Sequence, residues 1–337
     1  MGRRAERPDS IADDFGRETR MIVDLHTLIW ETTDQLGDAV AEQLRRRTDV
    51  PWDRPTGNAE LHAEAMRRVD CAVVHGMESA EIDLHIDAES VAKYVAKHPG
   101  KLIGFAGIDP AHGATVRKLE EAVELGLRGV SIGPAYQGYH PTATKAMALY
   151  EFCQDKGLPV FVNLDPKIAR PVKMEFGQPY MLDEVARSFP ELKLVISSLG
   201  APWVDQAISL LGKHPTVFAD ISDIVLRPWQ LYNALLLAYQ QGVLGQVLLG
   251  SGFPLCTPER AIVTLYSINT LVQGTHLPPV PREQLRGIVE RDALAMLGIE
   301  FEPQSEGVAP PAEGEKDGDA DDDELERTLE AAREGAA

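Results

Sequence analysis

The sequence predicts an α/β protein: a (β/α)8 TIM barrel followed by a disordered acidic C-terminal tail. Three observations predict it. Eight short, apolar, β-rich runs are spread over about 280 residues, and helix-period segments separate them. Such alternation builds a parallel sheet with right-handed crossovers. No Gly-rich phosphate turn follows the first run, where a doubly wound open sheet would carry one.

The first run, Met21–Leu28, reads Met-Ile-Val-Asp-Leu-His-Thr-Leu. An apolar run ending in an acid and a histidine suits a buried parallel strand that opens into a polar site. A long excursion follows, Ile29–Asn58, with a helical stretch Asp34–Arg47 and a Pro-rich turn around Pro51-Trp52 and Pro55-Thr56-Gly57-Asn58. Insertions of this size after a strand build lids and pocket walls. A helix Ala59–Arg68 leads into the second strand, Cys71–His75. The helix Ala88–His98, closed by Pro99-Gly100, leads to the third, Leu102–Ile108. Thr115–Leu125, with Gly126 as its C-cap, precedes the fourth, Gly129–Ile132. An aromatic loop then runs from Pro134 to Pro141 and carries Tyr136, Gln137, Tyr139 and His140.

The second half repeats the pattern. Helix Ala143–Lys156, capped by Gly157, precedes the fifth strand, Val160–Asn163. Leu182–Ser188 precedes the sixth, Leu194–Ser197. Val204–Leu211 precedes the seventh, Val217–Asp220, and Trp229–Gln241 the eighth, Val247–Gly250. Pro258–Gln273 closes the barrel, and Arg282–Leu297 packs on afterwards. The expected organisation is a flexible N-terminus over 1–20, the barrel over 21–300 and the acidic tail over 301–337.

The formal charge of -19 is unevenly placed. From Glu302 to Ala337 thirteen acids face three bases, so the rest of the chain is only mildly acidic. Such a body gives no reason to expect nucleic acid or an anionic membrane as a partner. The tail, rich in Pro, Gly, Glu and Asp, is either a solvating segment or a docking peptide for a protein partner. Its end, Glu324–Glu334, can form a short helix with Leu325, Leu329 and Ala332 on one face. The three cysteines, Cys71, Cys153 and Cys256, share no close spacing and read as buried thiols in a reducing compartment. Met1–Arg20 has no apolar core of a signal peptide, Glu6 stands where myristoylation wants Ser or Thr, and no apolar run is long enough for a membrane span. A cytoplasmic location is the expectation.

In a (β/α)8 barrel the active site lies at the C-terminal ends of the strands. The residues there are Asp24 and His26, His75, Asp109, Ser131, Asn163 and Asp165, Ser198, Asp220, and Ser251-Gly252. Tyr136 and Tyr139 of the aromatic loop are expected to line the mouth.

Several longer motifs accompany these positions: Ile22-Val-Asp-Leu-His26, Gly104-Phe-Ala-Gly-Ile-Asp-Pro110, Gly129 to Pro141, Pro190-Glu-Leu-Lys-Leu-Val-Ile196, Leu199-Gly200 with Pro202-Trp203, and Gly250-Ser-Gly-Phe-Pro254. From about Met21 to Gly298 the chain is similar to the amidohydrolase-related family, the branch of metal-dependent hydrolases that includes the aminocarboxymuconate-semialdehyde decarboxylase type. The resemblance implies Asp-x-His-x-His on the first strand, a His ending the fifth, a His ending the sixth, and an Asp after the eighth. There the family holds zinc or another divalent metal, which activates water or polarises the substrate.

This chain departs from that pattern. His26 is present, but Leu28 stands where its partner should be, Asn163 and Ser198 replace the histidines of the fifth and sixth strands, and Gly252 replaces the final Asp. One imidazole with neutral or absent partners is not a metal site. The expectation is therefore no cofactor and no catalytic residue. The barrel would be a pseudo-hydrolase that binds a small molecule or scaffolds a partner, alone or as a subunit of a homo- or hetero-oligomer. Its ligand pocket would be drawn from Asp24, His26, His75, Tyr136, Tyr139, Asn163, Ser198, Asp220 and Gly252. The alternative is an active hydrolase or decarboxylase with a relocated metal or metal-free acid–base groups. His26, His75 and Asp220 could serve it only by converging across the barrel mouth. Otherwise His75 bonds a backbone carbonyl, Asp220 caps a loop or pairs with an Arg, Asp24 orients His26 or a nearby amide, and Cys256 is a buried thiol.

Overall fold

A computed structural model of the chain describes residues 21–47 and 56–302. The polar N-terminus, the Pro51-Trp52 turn, and the acidic tail, where a short terminal helix is expected, lie outside the described residues.

Eight parallel strands form one sheet, each hydrogen-bonded to the next in chain order: Val23–Leu28, Cys71–His75, Leu102–Gly107, Gly129–Ile132, Val160–Val162, Leu194–Ile196, Val217–Asp220 and Val247–Leu248. The two ends of the sheet meet: the Leu25 amide donates to the Leu249 carbonyl at 3.0 Å, and the Leu28 amide to that of Phe253 at 3.0 Å. These bonds and the Thr27–Phe253 bridge nearly close the barrel, so the eight apolar runs sit between an outer layer of helices and a filled interior. Inside, Val23, Leu25, Val73, Phe105, Phe161 and Phe218 form a packed cluster with Leu294, Leu297 and Ile299, which plug the N-terminal end.

Some helices start where the sequence supplies a capping side chain. Asn58 accepts from the Leu61 amide at 3.0 Å, Asp87 from Ser90 at 2.8 Å, and Thr257 from Arg260 at 3.2 Å. The expected helix Arg282–Leu297 is two, Arg282–Glu290 and Ala293–Leu297, because Asp292 turns its side chain onto the Ala295 amide at 2.9 Å and starts a new helix. The described part of the long stretch after the first strand contains a 3-10 turn, Thr33–Leu36, and the helix Gly37–Arg45. Periodicity gives no sign of an antiparallel hairpin, Met77–Ser79 with Leu84–Ile86, because each arm is only three residues long. Hairpin and helix meet above the C-terminal mouth of the barrel.

The aromatic loop corrects an expectation. Pro134–Gln137 forms one helical turn closed by Gly138 at φ 72°, and Tyr136 (1% exposed) and Tyr139 (7%) enter the core between sheet and helices. Neither lines the mouth. A phenol ring gains more from burial in an apolar gap than from half-exposure at a rim. No helix of the described residues is long and apolar enough to cross a membrane.

Candidate functional site

A cavity of about 440 Å³ opens above the C-terminal strand ends. One wall is apolar, formed by Trp30, Leu36 and Val40 of the excursion and by Met77, Leu84 and Ile86 of the hairpin. Its floor and opposite wall carry His26, Asn163, Ser197, Ser198, Ser222 and Gly252, with Leu28 at their edge. Higher up stand Asp165, Lys167, Asp223, Arg47 and Arg227. The positions where the resemblance implies metal ligands therefore do converge, and the residues on them are Leu28, Asn163, Ser198 and Gly252.

A register shift in the first strand aims His26. The pairing with the second strand slips between Asp24 and Thr27, a bulge of the kind that re-aims side chains beside active sites. Leu25 packs inside the barrel, and His26 reaches the same interior instead of alternating away from it. Its ring stands edge-on to Phe161 at 4.6 Å and to His75 at 5.3 Å between centroids.

Beneath the cavity lies a closed polar network. His26 Nδ1 is 3.0 Å from Asp220 Oδ2 and 2.7 Å from Ser222 Oγ. The buried Asp220 also accepts at Oδ1 from the Ser198 amide at 2.6 Å, the Ser222 amide at 3.0 Å and the Ser222 hydroxyl at 2.6 Å. Ser198 Oγ lies 3.3 Å from Ser222 Oγ. Ser198 and Leu199 hold left-handed conformations, φ 54° and 50°, which turn the Ser198 amide down onto the carboxylate. Gly250 leaves room for it, since a Cβ there would stand 2.9 Å from Asp220 Oδ2. Asp220 thus caps the sixth-strand loop as one reading expected, while the side chain it pairs with is His26 rather than an arginine.

His75 and Asp24 stand behind this network. His75 Nε2 bonds the Leu25 carbonyl and Nδ1 bonds Ser131 Oγ, both at 2.7 Å. Burial, and then the neighbouring His26, lower its pKa to about 3, so it stays neutral. Asp24 Oδ1 accepts from the His26 amide at 3.2 Å and the Ser251 amide at 2.8 Å, which ties the first strand to the eighth. Its Oδ2 is buried with no hydrogen-bond partner among the described residues. Burial raises the Asp24 pKa to about 6, and the Ser251 and His26 donors offset only part of that. Cys256 is a buried free thiol, as expected, and burial pushes its pKa up to about 12.

The upper wall contains groups that sequence reasoning missed. Asp223 sits between two guanidiniums, Arg47 at 2.6 Å and Arg227 at 2.6 Å. Burial pushes its carboxyl up, but Arg47 and then Arg227 outweigh that and hold it below its ordinary value. Asp165, across the wall, is raised by burial and then by the charge of Asp223. Ser222 could have been suspected from its place two residues past a strand-ending Asp. Arg47 could not, because 176 residues separate it from Asp223.

The donor set does not fit a divalent metal. Leu28 and Gly252 offer no side-chain ligand, Asn163 and Ser198 are weak neutral ones, and His26 has one nitrogen committed. Among the described residues no group of three or more His, Cys, Asp or Glu is arranged to hold a metal ion.

Comparison with known proteins gives three findings. A family model described as Amidohydrolase matches residues 23–299. No curated protein matches the sequence. Among solved structures, an uncharacterised TIM-barrel protein from Bordetella bronchiseptica is 20% identical with a TM-score of 0.63, over 82% of this chain and 99% of that one. A 5-carboxyvanillate decarboxylase from Sphingomonas paucimobilis is 14% identical with a TM-score of 0.56, over 84% and 100%. A probable 2-pyrone-4,6-dicarboxylic acid hydrolase from Acinetobacter baumannii, with citric acid bound, is 15% identical with a TM-score of 0.54, over 82% and 99%. At these identities the likeness is one of fold.

Proposed function

The chain belongs to the amidohydrolase family, and from that premise we propose that it is a metal-free member, a pseudo-hydrolase whose barrel binds a small, mostly apolar molecule. One observation carries this reading. Leu28, Asn163, Ser198 and Gly252 line the same cavity as His26, so the family's ligand positions meet in space with side chains that cannot hold a metal. The strand ends have not drifted apart; what differs is the chemistry placed on them.

The cavity supports the binding half of the reading. Its volume of about 440 Å³ suits a small organic ligand, and its one-sided apolar wall resembles a binding site with a few convergent polar groups. The three free, buried thiols suit a reducing, cytoplasmic setting.

Elemental analysis of the purified protein tests the metal-free half. The expected result is zinc and manganese far below one equivalent, with the thermal melt unmoved by a chelator; a full equivalent of either metal overturns the reading. The double variant Leu28→His/Asn163→His is the positive control. With His26 it presents three imidazoles to the cavity, and it should take up zinc where the wild type does not. Restoring Gly252→Asp is not part of this control. Gly252 has φ +73°, and a Cβ there would meet Ser222 Cβ at 3.2 Å.

A further inference from the structure

The network under the cavity has a directed chemistry that metal loss alone does not account for. We propose that the cavity accepts a weakly acidic hydroxy compound, an enol or a phenol on an apolar body, and that His26 Nε2 takes its proton. The proposal rests on the small-molecule reading of the cavity and names the head group that the floor recognises.

The tautomer follows from hydrogen-bond bookkeeping. The Asp220 carboxylate only accepts, and its Oδ1 already receives the Ser198 amide, the Ser222 amide and the Ser222 hydroxyl. With its proton on Oδ1, Ser222 Oγ turns an acceptor towards His26. Nδ1 then faces two acceptors, Asp220 Oδ2 at 3.0 Å and Ser222 Oγ at 2.7 Å, and must carry the ring proton. The lone pair is left on Nε2, which has no partner among the described residues, on a ring that lines the cavity. Phe161 and His75 fix the ring plane from two sides. His75 cannot take over the role, because both of its nitrogens are bonded. A buried carboxylate that orients an imidazole and backs the cation it becomes is a general-base arrangement.

The transfer balances without a metal or an oxidant. The guest O–H bond breaks, its oxygen keeps the electron pair, and the proton forms the N–H bond on Nε2. The imidazolium then lies between Asp220 on one side and the guest oxyanion on the other. The other charged or titratable groups around it are Asp24 and His75 below, and Asp165, Lys167, Arg47, Asp223 and Arg227 on the upper wall. Of these, Asp223 is neutralised by two arginines, so the wall does not repel an anion. The apolar wall of Trp30, Val40, Met77 and Ile86 limits water beside the new ion pair, which strengthens it.

The probe for a test is p-nitrophenol, whose anion has its own visible absorption band. The full-length protein is titrated with it at a pH below the probe's own ionisation, and binding is followed independently by saturation-transfer NMR. The expected result is a bound probe that shows the phenolate band. His26→Gln should abolish the band. Asp220→Asn is the sharper variant: its Oδ1 must stay on the three donors, so its amide N–H₂ faces Nδ1 and drives the imidazole proton to Nε2. The phenolate population should then fall about ten- to a hundredfold, the worth of one charge-assisted hydrogen bond, while neutral probe still binds. A wild type that binds the probe only as neutral phenol overturns the proton transfer and leaves the binding reading standing. So does either variant, folded by circular dichroism, that keeps the full band. A wild type with no bound probe by NMR overturns the cavity's selectivity for this class, and the proton transfer with it.

Discussion

Asp24→Asn isolates the most strongly perturbed carboxyl at the barrel seam. In the wild type Asp24 is fully buried, with a pKa raised from 3.8 to about 6. That rise corresponds to a native-state penalty on ionisation of about 3 kcal/mol. Below 3.8 both native and unfolded carboxyls are protonated and nothing is lost. Between 3.8 and about 6 the unfolded chain has released this proton while the native chain still holds it. Stability from this group therefore falls as pH rises through that window and levels off above it. Asparagine keeps the Oδ1 acceptor for the His26 and Ser251 amides, which lie at 3.2 and 2.8 Å, and removes the titration. Its Nδ2 takes the place of an oxygen that already lacks a partner, so a fixed cost appears that does not vary with pH. Urea unfolding of both proteins at about pH 4 and about pH 7.5 gives the comparison. The stability difference should shift in favour of asparagine by about 2–2.5 kcal/mol between the two conditions, because at pH 4 the unfolded carboxyl is already about half ionised. Parallel stability curves would refute the reasoning, for they would mean that Asp24 is ionised throughout or solvated in the native state.

Three other outcomes are expected. Gly250→Ala places a Cβ 2.9 Å from Asp220 Oδ2 and 3.0 Å from Asp220 Cβ, and the carboxylate is pinned by four donors, so the melt should show a loss of about 1–3 kcal/mol; an unchanged melting temperature contradicts it. Asp223→Ala leaves Arg47 and Arg227 facing each other with about a fifth of their side chains exposed, and should cost about 2 kcal/mol, less at high salt. A loss that does not respond to salt argues against the ionic account. His62, buried with its ring nitrogens on the Tyr94 and Thr27 hydroxyls, and His75, whose pKa values burial lowers to about 3, should keep neutral-ring NMR shifts from pH 8 down to about pH 5. Their neutral burial contributes stability that is present above about 6.5 and is lost as pH falls towards 3, so titration of either ring near pH 6.5 would refute its buried placement.

Sequence alone makes the barrel legible, because each strand is an apolar run buried on both faces and stops such as Gly126 and Gly157 separate helical segments from strands. Cys71–His75, Gly129–Ile132 and Val217–Asp220 have in the structure the bounds that their composition implies. It also determined which residues stand at the strand ends, and so that Leu28, Asn163, Ser198 and Gly252 replace a ligand set. Tertiary structure decided what those ends do together. The bulge between Asp24 and Thr27 turns His26 inward, a one-residue slip that strict alternation cannot reveal. The pairing of His26 with Asp220 spans 194 residues, and that of Arg47 with Asp223 spans 176; no local pattern encodes such distances. Tyr136 and Tyr139 look like mouth residues because they follow a strand end, yet the core claims their rings. Local sequence sets dihedral preferences and faces. Only closure of the sheet brings the first, sixth and seventh strands around one imidazole, and its proton has to be placed by all of them at once.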